Sequence, residues 1–117
     1  MSGLQLTVDR SRGAPILSLA GELDIAGTEQ LLAALETIEQ DEPSLVVIDL
    51  SGVSFLDSSG LRAILVAHAA AGRAGRRLAV VRPPATVYRV FEIALLDRRL
   101  DFVDSLESVA PVGGGPA

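Results

Sequence analysis

The run Asp57-Ser58-Ser59-Gly60 separates an apolar segment from one with helical spacing, and it places two hydroxyls beside a carboxylate. A serine next to an aspartate suits two reactions: attack of an activated hydroxyl on an acyl group, or acceptance of a phosphoryl group. The first needs a base. The chain has one histidine, His68, on the same expected helix as Ser58, and ten residues of helix place the two about 15 Å apart along the axis. That histidine cannot take the serine proton, and no Gly-x-Ser-x-Gly turn is present. His68 is read instead as a partly buried helix residue. Asp24, Asp49 and Asp57 invite comparison with the magnesium cluster of phosphoacceptor receiver domains, but those domains rely on a late lysine, and all ten basic residues here are arginine. The missing lysine also removes phosphate-loop, Schiff-base and amine-nucleophile chemistry. With no cysteine, thiol catalysis, disulfides and Cys-based zinc sites are excluded. No catalytic residue, metal or cofactor is expected, and the chain is read as a binding module rather than an enzyme.

The second reaction fits the local geometry. With Asp57 at the N-cap, its carboxylate accepts from the backbone N–H groups of Ser59 or Gly60, donors that a first helical turn leaves open. Leu56 and Leu61 then fall at the two positions of a hydrophobic staple. Ser58 is the first helical residue, its hydroxyl toward solvent at the positive end of the helix dipole. A phosphoryl group there adds about −1.5 to −2 charges where anions are tolerated, so modification leaves the fold standing. A docked partner lacking matching arginines would have to desolvate that dianion at a cost of several kcal/mol, about a hundredfold in affinity. Gly60 keeps the rim free of side-chain bulk. A plain capped helix accounts for the same spacing.

The elements that position this segment alternate. Leu4, Leu6 and Val8 have the period of a half-buried strand, a turn follows at Ser11-Arg12-Gly13, and Ile16, Leu17 and Leu19 continue into a second strand ended by Gly21. Leu31, Leu32, Leu35 and Ile38 repeat at helical spacing over 28–40, with Glu29, Glu36 and Glu39 on the wet face. Leu45-Val46-Val47-Ile48 reads as a strand covered on both faces and broken by Ser51-Gly52. A second helix runs from Ser58 to about Gly72, with Leu61, Ile64, Leu65 and His68 on its stripe. Strand 78–81 follows, and Pro83-Pro84 opens a third helix that buries Val87, Val90, Phe91 and Leu95. Asp101-Phe102-Val103 is a last edge strand before a short helix near 105–109. The pattern is an α/β sheet domain.

The 117 residues suit a single domain, expected over 1–110, with 111–117 as a flexible Gly/Pro-rich tail. Ten basic against fifteen acidic residues give −5, so a nucleic-acid partner is not expected. The longest apolar stretch, 63–71, is too short to span a bilayer, and residues 1–12 lack a signal-type segment. A cytoplasmic protein without direct membrane insertion is the expectation.

Residues 46–65, reading VVIDLSGVSFLDSSGLRAIL, together with Gly21-Glu22-Leu23-Asp24 and Arg82-Pro83-Pro84, resemble the STAS domain of bacterial anti-sigma factor antagonists over about residues 4–109. The resemblance implies a small mixed β-sheet with helices packed on one side. It also implies a partner switch. The unphosphorylated antagonist binds an anti-sigma factor that is a serine kinase, freeing a sigma factor; phosphorylation releases it, and a PP2C-type phosphatase resets it. ATP and magnesium belong to those partners. Carried onto this chain, Ser58 is the phosphoacceptor, with partner contacts at Asp24, Asp57, Ser59, Gly60, Leu61 and Arg62. Asp24 lies in the loop after the second strand, either beside the helix start or as a cap for the helix near Thr28. Asp49 is assigned to turn structure. Arg62 departs from the small residue of some relatives and is read as a surface residue before a phosphate partner. Ala94-Leu95-Leu96 stands where many relatives end the third helix with glycine. The alternative within the fold is an accessory subunit of a lipid-transporting ABC system or a stress-sensing scaffold.

Overall fold

A computed structural model describes residues 3–109. The expected tail, 111–117, lies outside the described residues, as do positions 1, 2 and 110. The elements run β1 (Leu4–Asp9), β2 (Ile16–Leu23), α1 (Ile25–Glu39), β3 (Leu45–Leu56), α2 (Ser58–Ala74), β4 (Arg77–Val81), α3 (Ala85–Ile93), β5 (Asp101–Val103) and a 3₁₀ turn at Leu106–Ser108. The strands form one mixed sheet in the order β1-β2-β3-β4-β5. β1 and β2 make the antiparallel hairpin, and every later pairing is parallel.

Strand alternation explains why the helices sit on one side. Val46, Ile48, Leu78 and Val80 share a core with Leu31, Leu35 and Ile38 of α1, Ala63, Ile64, Ala67 and Ala71 of α2, and Val87 and Phe91 of α3. The intervening residues Leu45, Val47, Ala79 and Val81 project from the other face, where Ala14, Leu106 and Val109 cover them. The unbroken apolar run at 45–48 is thus buried on both faces, as an interior parallel strand requires.

Several expected boundaries move. β3 does not end at Ser51-Gly52 but continues to Leu56. Its pairing with β2 slips between Ser18/Ala20 and again between Gly21/Glu22. Each slip inserts a residue on the β3 side, so turn-forming residues mark bulges inside the strand rather than its end. The first bulge is held by the Ser51 amide, which donates to the Asp49 carboxylate at 2.9 Å. At the second, the Ser54 hydroxyl donates to the Gly21 carbonyl at 3.2 Å. β2 likewise runs past Gly21 to Leu23, and α1 starts at Ile25 rather than Thr28. On α2 the buried stripe is Gly60, Ala63, Ile64, Ala67 and Ala71, while Leu61, Leu65 and His68 are half-buried at its edge. Small residues facing the sheet let this helix approach closely. α2 closes on Gly75 in the left-handed conformation, φ 73°.

Leu95 overturns the expectation that it packs under α3: it is 78% exposed, with φ 62°. The Leu96 amide donates back to the Phe91 carbonyl at 2.8 Å and the Leu95 amide to that of Glu92 at 3.0 Å, so Leu95 occupies the left-handed position that usually belongs to glycine at a helix end. Buried Leu96 takes the apolar place instead. A branched side chain in that conformation costs about 1–2 kcal/mol. Leu95→Gly therefore stabilises the protein by roughly 1 kcal/mol, read as a higher urea midpoint with an unchanged m-value; a lower midpoint would mean that Leu95 makes contacts the fold needs.

Candidate functional site

β2 and β3 are parallel neighbours, and the register Leu23↔Leu56 brings their C-terminal ends level. The residues that follow, Asp24 and Asp57, each cap a helix, so α1 and α2 begin side by side at one edge of the sheet. The Asp24 carboxylate accepts from the Gly27 amide at 3.0 Å. Both readings of Asp24 hold together: it caps α1, and it stands beside the start of α2 because its strand neighbour Leu23 accepts from the Asp57 amide at 3.5 Å.

Asp57 binds the first turn of α2 as its spacing predicts. One oxygen, Oδ1, accepts from the Ser59 amide at 3.0 Å, the Gly60 amide at 3.1 Å and the Ser59 hydroxyl at 2.6 Å. The hydroxyl bond from Ser59, followed by the Gly60 amide, holds the Asp57 carboxyl below its ordinary value of 3.8. The carboxylate is therefore ionised at neutral pH, with Oδ1 shared by three donors.

This arrangement separates the two serines. Ser59 is half-buried and its hydroxyl is committed to Asp57. Ser58 is exposed, and its hydroxyl has no hydrogen-bond partner among the described residues. Leu56 is buried and Leu61 packs against the same cluster, anchoring the turn from below.

Gly60 has a different role from the one its sequence position suggested. It is buried, and a Cβ built on it would stand 2.5 Å from the Leu23 carbonyl oxygen and 2.9 Å from the Leu23 side chain. Its lack of a side chain lets α2 seat on the end of β2, rather than keeping the outer rim clear. Arg62, one turn after Ser58, is exposed.

Two apolar residues at this edge were not singled out in the sequence. Ile25, directly after Asp24, is 66% exposed, and Phe55, two residues before Asp57, is 49% exposed. Their signal was adjacency to the two capping aspartates. Ile25 next to Asp24, and Phe55 beside its strand partner Glu22, leave exposed apolar area at the end of the sheet where the two helices start, a composition suited to a protein partner. No group of three or more His, Cys, Asp or Glu among the described residues is placed to hold a metal ion. No helix there is long and apolar enough to cross a membrane.

A family model described as "Mlab, STAS domain" matches residues 6–106. The anti-sigma-F factor antagonist RsfB of Mycobacterium tuberculosis is 30% identical over 113 residues, covering 96% of this chain and 92% of that protein. Among solved structures, an anti-sigma factor antagonist from Mycobacterium paratuberculosis superposes with a TM-score of 0.79 at 27% identity, covering 89% of this chain and 88% of that one. The antagonist SpoIIAA in its unphosphorylated form gives 0.78 at 23% identity, covering 97% and 100%. Its phosphorylated form, from Bacillus, gives 0.68 at 23%, covering 88% and 95%. At that identity the SpoIIAA likeness speaks for the fold.

Two substitutions test the helix start. Gly60→Ala lowers unfolding stability by about 1–3 kcal/mol in urea despite alanine's better helix propensity, because the methyl meets a strand backbone that cannot yield; unchanged stability would contradict the contact. Asp57→Ala lowers the melting temperature by a few degrees at pH 7. Since the folded carboxyl titrates below its unfolded value, its contribution is complete above the ordinary carboxylate range and is lost as pH falls through the folded value. The two melting curves should converge at the acid end, and a gap that persists there would place the effect elsewhere.

Proposed function

The chain belongs to the STAS domain family, and on that premise we propose that it is a cytoplasmic anti-sigma factor antagonist switched by phosphorylation of Ser58. The observation that carries the reading is the division of labour between neighbouring hydroxyls: Ser59 is bonded to Asp57, whereas Ser58 is exposed and free. The unmodified edge, formed by Ser58, Ile25, Phe55 and the carboxylates beside them, docks on an anti-sigma factor that is itself a serine kinase, and so frees a sigma factor. Asp24, Asp57, Ser59, Leu61 and Arg62 support or border that contact. Gly60 acts beneath it, by seating the helix.

In the transfer, the Ser58 oxygen forms a bond to the γ-phosphorus of the kinase's ATP, the bond to the ADP oxygen breaks, and the serine proton passes to a base on the kinase. The product places a dianion on the docking edge beside the ionised Asp57. A partner matched to the neutral hydroxyl must then desolvate it, which costs several kcal/mol and loosens the complex. A PP2C-type phosphatase restores the hydroxyl. ATP and magnesium are supplied by these partners.

With the cognate kinase and radiolabelled ATP, one phosphoryl group enters the wild-type chain and the Ser59→Ala variant, and none enters Ser58→Ala. Label retained in Ser58→Ala would refute the assignment. Ser58→Asp melts within a few degrees of wild type and binds the kinase at least tenfold more weakly, measured by calorimetry. If the chain takes up no label and Ser58→Asp binds its partner undiminished, the reading as an accessory subunit or scaffold replaces the switch.

A further inference from the structure

The outer face of α2 carries Ser58, Arg62, Val66, Ala69 and Arg73, all exposed and spaced as one helical stripe. We propose that Arg62 receives the phosphate of a phosphorylated Ser58, closing an ion pair one turn along this stripe; the proposal rests on the reading of Ser58 as phosphoacceptor. It reverses the expectation that Arg62 merely decorates the surface.

Three features carry it. Helical side chains lean toward the N-terminus, so Arg62 leans over the turn that bears Ser58. An anion followed four residues later by a cation is the favourable order for such a pair. The Arg62 guanidinium is also uncommitted: Arg10, Arg76, Arg77 and Arg82 each have a carboxylate within 4 Å, whereas Arg62 has none among the described residues. Asp57 is five residues away, off the stripe, and occupied by its own amides.

The need for such a cation follows from the surroundings. The carboxylate of Asp57 precedes Ser58 directly on the same turn, Asp24 caps the neighbouring start of α1, and Arg62 is the opposing charge one turn along α2. A dianion added beside the ionised Asp57 is repelled by it. A planar guanidinium with paired N–H donors offsets that repulsion and fixes the phosphate against the helix. The modified side chain then becomes an ordered obstacle on the docking edge rather than a freely moving one, and the arginine is drawn from any contact it makes in the unmodified complex.

The test uses full-length protein with phosphoserine installed at position 58 during translation, in wild type, Arg62→Ala and Arg62→Lys, followed by ³¹P NMR across pH 4–8. Free phosphoserine loses its second proton near pH 6. In Arg62→Ala that step should lie higher than in wild type by about 0.2–0.4 of a pH unit, the size of an exposed pair one turn apart. Arg62→Lys should recover part of the difference, and added salt should shrink it. Superimposable titrations of wild type and Arg62→Ala would overturn the proposal, as would a phosphorylated wild type that does not fold. Because the phosphate is installed without a kinase, a positive result stands even if no kinase modifies Ser58, and a failed kinase assay sinks the phosphoacceptor reading alone.

Discussion

The close seat of α2 on the end of β2 governs the rest of the molecule's functional edge. Gly60 lies against the Leu23 carbonyl with no room for a side chain, and this contact fixes where the first turn of the helix begins. From it follow the pairing of two capped helix starts, the commitment of Asp57 to the Ser59 and Gly60 amides, and the outward direction of Ser58. The small residues along the buried stripe of α2 extend the same close approach down the sheet. The bulges in β3 belong to this arrangement as well, since they insert the extra residues that bring Leu56 level with Leu23.

Once the turn is seated, charge and hydrogen bonding allot each residue one task. Asp57 is held ionised by its donors, the Ser59 hydroxyl and the Ser59 and Gly60 amides, all on Oδ1. Ser59 completes that cap, its half-buried hydroxyl donating to Asp57. Ser58 is left as an exposed hydroxyl at the positive end of a helix, where added negative charge is tolerated by the fold and felt by whatever docks there. A bonded hydroxyl and a free one thus stand one position apart in the chain, and under the proposed switch the free one carries the signal. The same sheet and helix arrangement can serve unrelated roles, so the fold alone does not decide the function.

Much of this was legible in the sequence because it depends on local patterns. The doubly covered run Leu45 to Ile48, the cap at Asp57 with its staple residues, and the alternation of strand and helix all leave periodic or positional marks. What escaped depends on distant contacts. Ser51-Gly52 resembles a strand end, and its being a bulge is decided by pairing with β2. Gly60 looked like a rim residue until Leu23 was placed beneath it. Leu95 satisfied the helical period of α3, yet the chain turns left-handed there because Leu96 is drawn into the core. Ile25 and Phe55 are ordinary core types by composition, and their exposure comes from lying at the very edge where the two helices start.

Phosphorylation of Ser58 at the surface should leave the scaffold intact, and amide-resolved NMR spectra of the unmodified and Ser58-phosphorylated protein test this most directly. Shift changes confined to the first two turns of α2, the start of α1 and the end of β3, with the remaining signals superimposed, are the expected result. Collapse of signal dispersion, or changes spread through β4 and α3, would show that the hydroxyl is part of the structure and not a free site upon it.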